Sequence, residues 1–196
     1  GIDEADAILI VGSNPRLESP VLNARIRSRF LKGGLQIGLI GEAIDLTYPY
    51  EHLGDEPQLL EQFIAGKNKF SKVLKKAKNP MIIVGSGAIN REDGLQILHN
   101  ARKIAETTGM ITDNWNGFNV LQSAASRVGG LDIGFVPVKS FNLEDMEVIY
   151  LIGADEIDFN KTKNAFVVYQ GHHGDNGAHH ADVILPGAAY TEKSAT

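Results

Sequence analysis

Three stretches of the chain combine residue types and spacings that can do chemistry, and each is built around glycine. Gly12-Ser13-Asn14-Pro15-Arg16 directly follows the apolar run Ala7-Ile8-Leu9-Ile10-Val11 and directly precedes a helical pattern. Such a turn suits a ligand phosphate, because glycine lets backbone N–H groups approach an anion and the next helix N-terminus carries partial positive charge. The same residues also make a plain strand-to-helix turn in which Ser13 or Asn14 satisfies backbone groups. Gly85-Ser86-Gly87-Ala88-Ile89-Asn90 follows Met81-Ile82-Ile83-Val84 and offers a G-x-G, with Asp113 ending the next apolar stretch, where a ribose-binding acid would stand. Asn90 takes the place of the third Gly or Ala of the dinucleotide fingerprint, so the expectation here is an ordinary turn rather than bound NAD.

The third stretch, His172-His173-Gly174-Asp175-Asn176-Gly177-Ala178-His179-His180, gathers four of the six histidines, with Asp182 close behind. Imidazoles and carboxylates are zinc ligands, but this spacing follows no local zinc pattern, and Gly171, Gly174 and Gly177 read as a flexible loop. No metal site is expected. Ser86 and Ser123 have no recognisable base partner, G-x-S-x-G is absent, and no carboxylate pair stands out for hydrolysis, so no catalytic residue is assigned.

These turns need elements to hold them. Apolar runs at Ala7–Val11, Gln36–Ile40, Met81–Val84, Val148–Ile152, Phe166–Tyr169 and Val183–Leu185 are continuous rather than alternating, which predicts parallel strands with helices over both faces. Amphipathic helices are predicted between them. Pro20–Leu31 carries Val21, Leu22, Ile26 and Phe30. Lys67–Lys78 carries Phe70, Val73, Leu74 and Ala77, and its lysines read as a solvated face. Arg91–Thr108 carries Leu95, Leu98, Ala101, Ala105 and Thr108, ended by Gly109. Thr112–Asn119 reads as a polar, aromatic loop. The fold class is therefore α/β: doubly wound, mainly parallel sheets flanked by helices.

Thr47–Gly66 shows no clear strand and carries Pro49, Gly54 and Pro57, which places the expected boundary between a first α/β lobe at 1–66 and a second at 67–196. Because Gly1 leads within six residues into a strand and Thr196 closes a helix-like start, the expectation is an internal fragment of a longer protein.

Composition narrows the function classes. Among 196 residues, 24 acidic against 19 basic side chains give a net charge of −5, which disfavours nucleic acid or an anionic membrane as a partner. The absence of cysteine excludes disulfides, thiolate nucleophiles and cysteine-held iron–sulfur clusters within these residues. No apolar run approaches the roughly 20 residues of a membrane span, so no direct membrane insertion is expected.

The tail Ala181-Asp182-Val183-Ile184-Leu185-Pro186 with Glu192-Lys193-Ser194-Ala195-Thr196 resembles the A-D-V-x-L-P…E-K-x-x-T signature of the molybdopterin oxidoreductase superfamily. Tyr169-Gln170-Gly171-His172-His173-Gly174-Asp175, Leu151-Ile152-Gly153-Ala154-Asp155, the Gly12 turn, and Trp115 to Gln122 with Gly130 to Gly134 make it most similar to one branch, the large iron–sulfur subunits of NADH:quinone oxidoreductase, respiratory complex I. The resemblance implies an enzyme subunit passing electrons from NADH toward quinone through 4Fe-4S and 2Fe-2S clusters held outside this segment. It also implies partners among the other subunits of the peripheral arm, on the cytoplasmic or matrix side of an inner membrane. In catalytic relatives the Gly12-type turn and the loop before A-D-V-x-L-P help cradle a pterin dinucleotide. In the complex I branch that cofactor is lost, so Gly12, Ser13, Asn14, His172, His173 and Asp175 are expected to be remnant loops and the segment to be structural.

Overall fold

The computed structural model describes residues 1–124, 126–136 and 142–194; Ala195 and Thr196, which end the E-K-x-x-T signature, lie outside the described residues. The chain divides into two units, Gly1–Ala125 and Ser126–Thr196.

The first unit runs in order through β1 (Ala7–Val11), α1 (Pro15–Glu18), α2 (Pro20–Leu31), β2 (Gln36–Ile40), β3 (Glu51–Gly54), α3 (Leu59–Ile64) and α4 (Lys69–Lys76). It continues with β4 (Pro80–Val84), α5 (Ser86–Ile89), α6 (Gly94–Thr107), a hairpin of β5 (Ile111–Thr112) and β6 (Trp115–Asn116), and β7 (Phe118–Val120). Five strands form one parallel sheet in the order β3-β2-β1-β4-β7. From β1 the chain steps outward one way to β2 and β3, then returns and steps the other way from β4 to β7. Since crossovers between parallel strands are right-handed, this reversal puts helices on both faces. β1 alternates accordingly: Ala7, Leu9 and Val11 pack with Phe63, Phe70, Leu74 and Ile104 on one side, while Ile8 and Ile10 pack with Ile26, Leu46 and Tyr48 on the other.

This pairing corrects the expected boundary between 66 and 67. β4 joins β1 register for register, Ala7 with Pro80 through Val11 with Val84, so residues beyond 67 complete the sheet that residues 1–66 begin. Two further expectations change. Thr47–Gly66 holds the edge strand β3, whose Glu51-His52-Leu53-Gly54 is too polar to read as a buried strand. Thr112–Asn119 holds the hairpin and the edge strand β7 rather than a loop, with the Trp115 indole N–H donating to the Pro80 carbonyl at 2.7 Å. The helical stripes also rotate: α6 buries Ile97, Ala101, Ile104 and Ala105 while Leu95 is 83% exposed, and Val21 of α2 faces solvent.

The second unit comprises α7 (Arg127–Asp132), β8 (Val148–Ile152), β9 (Phe166–Gly171), α8 (Asn176–His180) and β10 (Val183–Pro186), with a parallel sheet in the order β10-β9-β8. Its strands advance in one direction only, so right-handed crossovers bring all connections to one face. Ile149, Leu151, Val167 and Tyr169 are buried there against Phe159, Ala178 and Ala181. The opposite face carries Val148, Tyr150, Ile152 and Phe166 exposed, which corrects the expectation that both faces of every strand are covered.

Two outcomes follow for the first unit. Ile10→Ala, at a fully buried position on the central strand, is expected to cost about 2–5 kcal/mol in urea denaturation. Tyr48 donates its hydroxyl hydrogen to Asn23 Oδ1 at 2.8 Å, and Asn23 Nδ2 donates to the Leu46 carbonyl at 3.0 Å. Burial pushes the Tyr48 phenol above its ordinary value of 10.0. A folded-state value raised above the unfolded one contributes stability that is complete below pH 10 and is lost as pH rises beyond it. Tyr48→Phe is therefore expected to lower stability by about 1 kcal/mol at neutral pH and to flatten the alkaline fall, read from denaturation curves across the alkaline range.

Candidate functional site

At the carboxyl ends of β1 and β4 the sheet reverses its winding direction, the place where open α/β sheets bind ligands. Both glycine turns singled out from the sequence stand there. The Gly85 N–H donates to the Val11 carbonyl and the Gly12 N–H to the Ile40 carbonyl, each at 2.9 Å, so the turns continue the ladders of the strands they leave. They are pressed together: a Cβ on Gly12, whose φ is +54°, would lie 2.5 Å from Ala88 Cβ, and one on Gly85 would lie 2.3 Å from Ser13 Cβ. Only glycine permits that approach at either position.

Beyond the turns opens a cleft of about 500 Å³, lined by Gly12, Ser13, Asn14, Ser86 and Gly87, with Ile40, Ile44 and Leu60 as apolar wall. The same wall carries Glu18, Glu42, Asp55 and Arg91, which the sequence reading did not single out. Glu18 has a legible signal, standing four residues after Asn14 at helical spacing. One of its carboxylate oxygens accepts from the Asn14 N–H at 2.9 Å, and the other accepts from the Ser86 N–H and the Ser86 hydroxyl, both at 3.1 Å. Arg91 is taken by Asp93, Nε to Oδ1 at 2.7 Å and Nη2 to Oδ2 at 3.1 Å; this pair raises the Arg91 pKa and lowers that of Asp93.

The pyrophosphate of a pterin or nicotinamide dinucleotide does not fit these residues. One backbone donor of each turn, Asn14 N–H and Ser86 N–H, already serves Glu18, three carboxylates line the cleft, and its guanidinium is paired. Ser13 Oγ and Asn14 Oδ1 are buried without partners, but Asn14 Oδ1 only accepts hydrogen bonds and would repel an anion. Asp113 is not placed to hold a ribose. It lies on the exposed turn between β5 and β6, beside Trp115, whose bond to Pro80 anchors the hairpin at the opposite end of β4 from Gly85. The apolar residues before it form that hairpin rather than the next strand of the sheet.

In the second unit the described contacts of the histidines are separate from one another. His172 and His173 meet edge to face with ring centres 4.3 Å apart. His180 stacks on Phe159 at 4.3 Å, with Nδ1 2.8 Å from the Asn176 carbonyl oxygen. Asp182 accepts from the Val167 N–H at 2.8 Å, fixing the entry of β10 into the sheet. Asp175 precedes the short helix α8, where a flexible loop was expected. Burial and the charges of Asp155 and Asp175 push the Tyr169 phenol up. Among the described residues no three His, Asp or Glu side chains are grouped to hold a metal ion.

An NADH-quinone oxidoreductase subunit of Rickettsia bellii is 50% identical over 194 residues, covering 99% of this chain and 28% of that protein. The mitochondrial NADH-ubiquinone oxidoreductase 78 kDa subunit of Neurospora crassa is 48% identical over 202 residues, with 100% of this chain and 27% of that protein covered. The NADH-ubiquinone oxidoreductase 75 kDa subunit of Reclinomonas americana is 45% identical over 201 residues, 100% of this chain and 29% of that protein. The chain thus spans under a third of the length of these relatives. The molybdopterin oxidoreductase family matches residues 1–196, and the chain belongs to that family.

Proposed function

We propose that the chain is a structural segment of the large subunit of a respiratory NADH:quinone oxidoreductase, whose intact form passes electrons from NADH toward quinone. The observation that carries this reading is 50% identity, across 99% of the chain, to the Rickettsia bellii oxidoreductase subunit. It is supported by a chain that contains no cysteine to hold a cluster and a cleft in which a donor of each turn is already taken by Glu18. The 4Fe-4S and 2Fe-2S clusters of the intact subunit lie in other parts of the polypeptide. Gly12, Ser13, Asn14, His172, His173 and Asp175 are remnants of cofactor loops that serve as turns. The partners are the other subunits of the peripheral arm, at the cytoplasmic or matrix face of an inner membrane, and among the described residues no helix is long and apolar enough to cross one.

A structural segment and a catalytic one differ in what substitutions do to the assembled enzyme. In a full NADH:quinone oxidoreductase of this kind, Ile10→Ala is expected to reduce the amount of assembled complex. Asn14→Ala and His173→Ala are expected to leave the rate per assembled complex unchanged. A fall in NADH:quinone rate per complex with the iron–sulfur signals intact would overturn the structural reading.

A further inference from the structure

Glu18 is a carboxylate bound as a ligand would be. Its hydrogen-bond partners are the Asn14 N–H at the end of β1 and the N–H and hydroxyl of Ser86 at the end of β4, two turns far apart in sequence that come together only in the folded sheet. Glu18 is solvent-exposed and, among the described residues, forms no ion pair, so within the protein these dipoles are what meet its charge. Two strand-end turns offering convergent N–H groups to one anion at a winding reversal are the arrangement that elsewhere receives a phosphate. A second observation marks the spot as a ligand cleft: Ser13, more than nine-tenths buried in its wall, keeps a hydroxyl with no partner.

We propose that Glu18 is a built-in substitute for an anionic ligand, its carboxylate filling from within the chain the donor set that the two turns would otherwise present to a phosphate. It closes the cleft to anionic cofactors in two ways. It occupies one N–H of each turn and the Ser86 hydroxyl, and with Glu42 and Asp55 it makes the cleft repel what remains outside. It also ties α1 to the turn after β4, so the contact that excludes a ligand is one that steadies the fold. The inference rests on the reading that this cleft carries no cofactor, and it names the residue responsible.

The test titrates inorganic pyrophosphate into the ¹⁵N-labelled chain and follows the amide resonances of Asn14 and Ser86. The wild type is expected to show no saturable change over the concentrations at which Glu18→Ala saturates at these two amides, a difference of at least about tenfold in affinity, the weight of one charge-assisted hydrogen bond. Glu18→Gln, which keeps size and loses charge, guards against an alanine variant that fails to fold and is expected to fall between the two. Saturable binding to the wild type at these amides would overturn both the inference and the cofactor-free reading. A folded Glu18→Ala that binds nothing would overturn the inference alone.

Discussion

The parallel pairing of β1 with β4 is the constraint on which the first unit depends. These strands are separated by about 70 residues, yet their five-residue registers match from Ala7 and Pro80 to Val11 and Val84. Once they are neighbours, the excursions through β2 and β3 and through β7 must leave in opposite directions. Right-handed crossovers then place α2 on one face and α3, α4 and α6 on the other. The three central strands β2, β1 and β4 are covered on both faces, which is why their apolar runs are continuous. The two turns that end the central strands must also share a space too small for side chains at Gly12 and Gly85. The cleft is the residue of that geometry: two chain segments leave the sheet at one point in opposite directions and a gap opens between them.

Much of this is legible in the sequence because buried parallel strands are coded by composition. Ala7–Val11, Gln36–Ile40 and Met81–Val84 have no alternative use for so many adjacent β-branched and aliphatic residues, and α4 follows its Phe70, Val73, Leu74 stripe. Edge elements are harder to read. β3 and β7 are half exposed and bond along one side, so their sequences need not be apolar. The expected boundary at 66 fails for a related reason: a proline- and glycine-bearing stretch marks where local structure is irregular, whereas membership of a sheet is decided by pairing across distance, which local composition does not record. Both glycine turns are found at the strand ends that the sequence predicts, but their occupant is not written there. That Glu18 reaches two turns at once depends on β1 and β4 being adjacent, which only the folded sheet supplies.

The second unit illustrates the same rule with a different result. Its three strands carry apolar runs as continuous as those of the first unit, but they advance in a single direction and receive their connections on one side. Val148, Tyr150, Ile152 and Phe166 are therefore left facing outward. An apolar composition that predicts two covered faces is thus satisfied in the first unit by the reversal at β1 and in the second on one face only. The histidines of the second unit, adjacent in sequence, take separate partners: His172 meets His173, His180 is committed to Phe159 and the Asn176 carbonyl, and Asp182 to the backbone of β9.

On the proposed reading, Glu18 occupies one donor of each turn at the cleft, and no dinucleotide is bound there. A native mass spectrum of the purified protein beside its denatured mass tests this most directly. The two masses are expected to agree. A native excess matching a pterin dinucleotide would contradict the carboxylate-filled cleft.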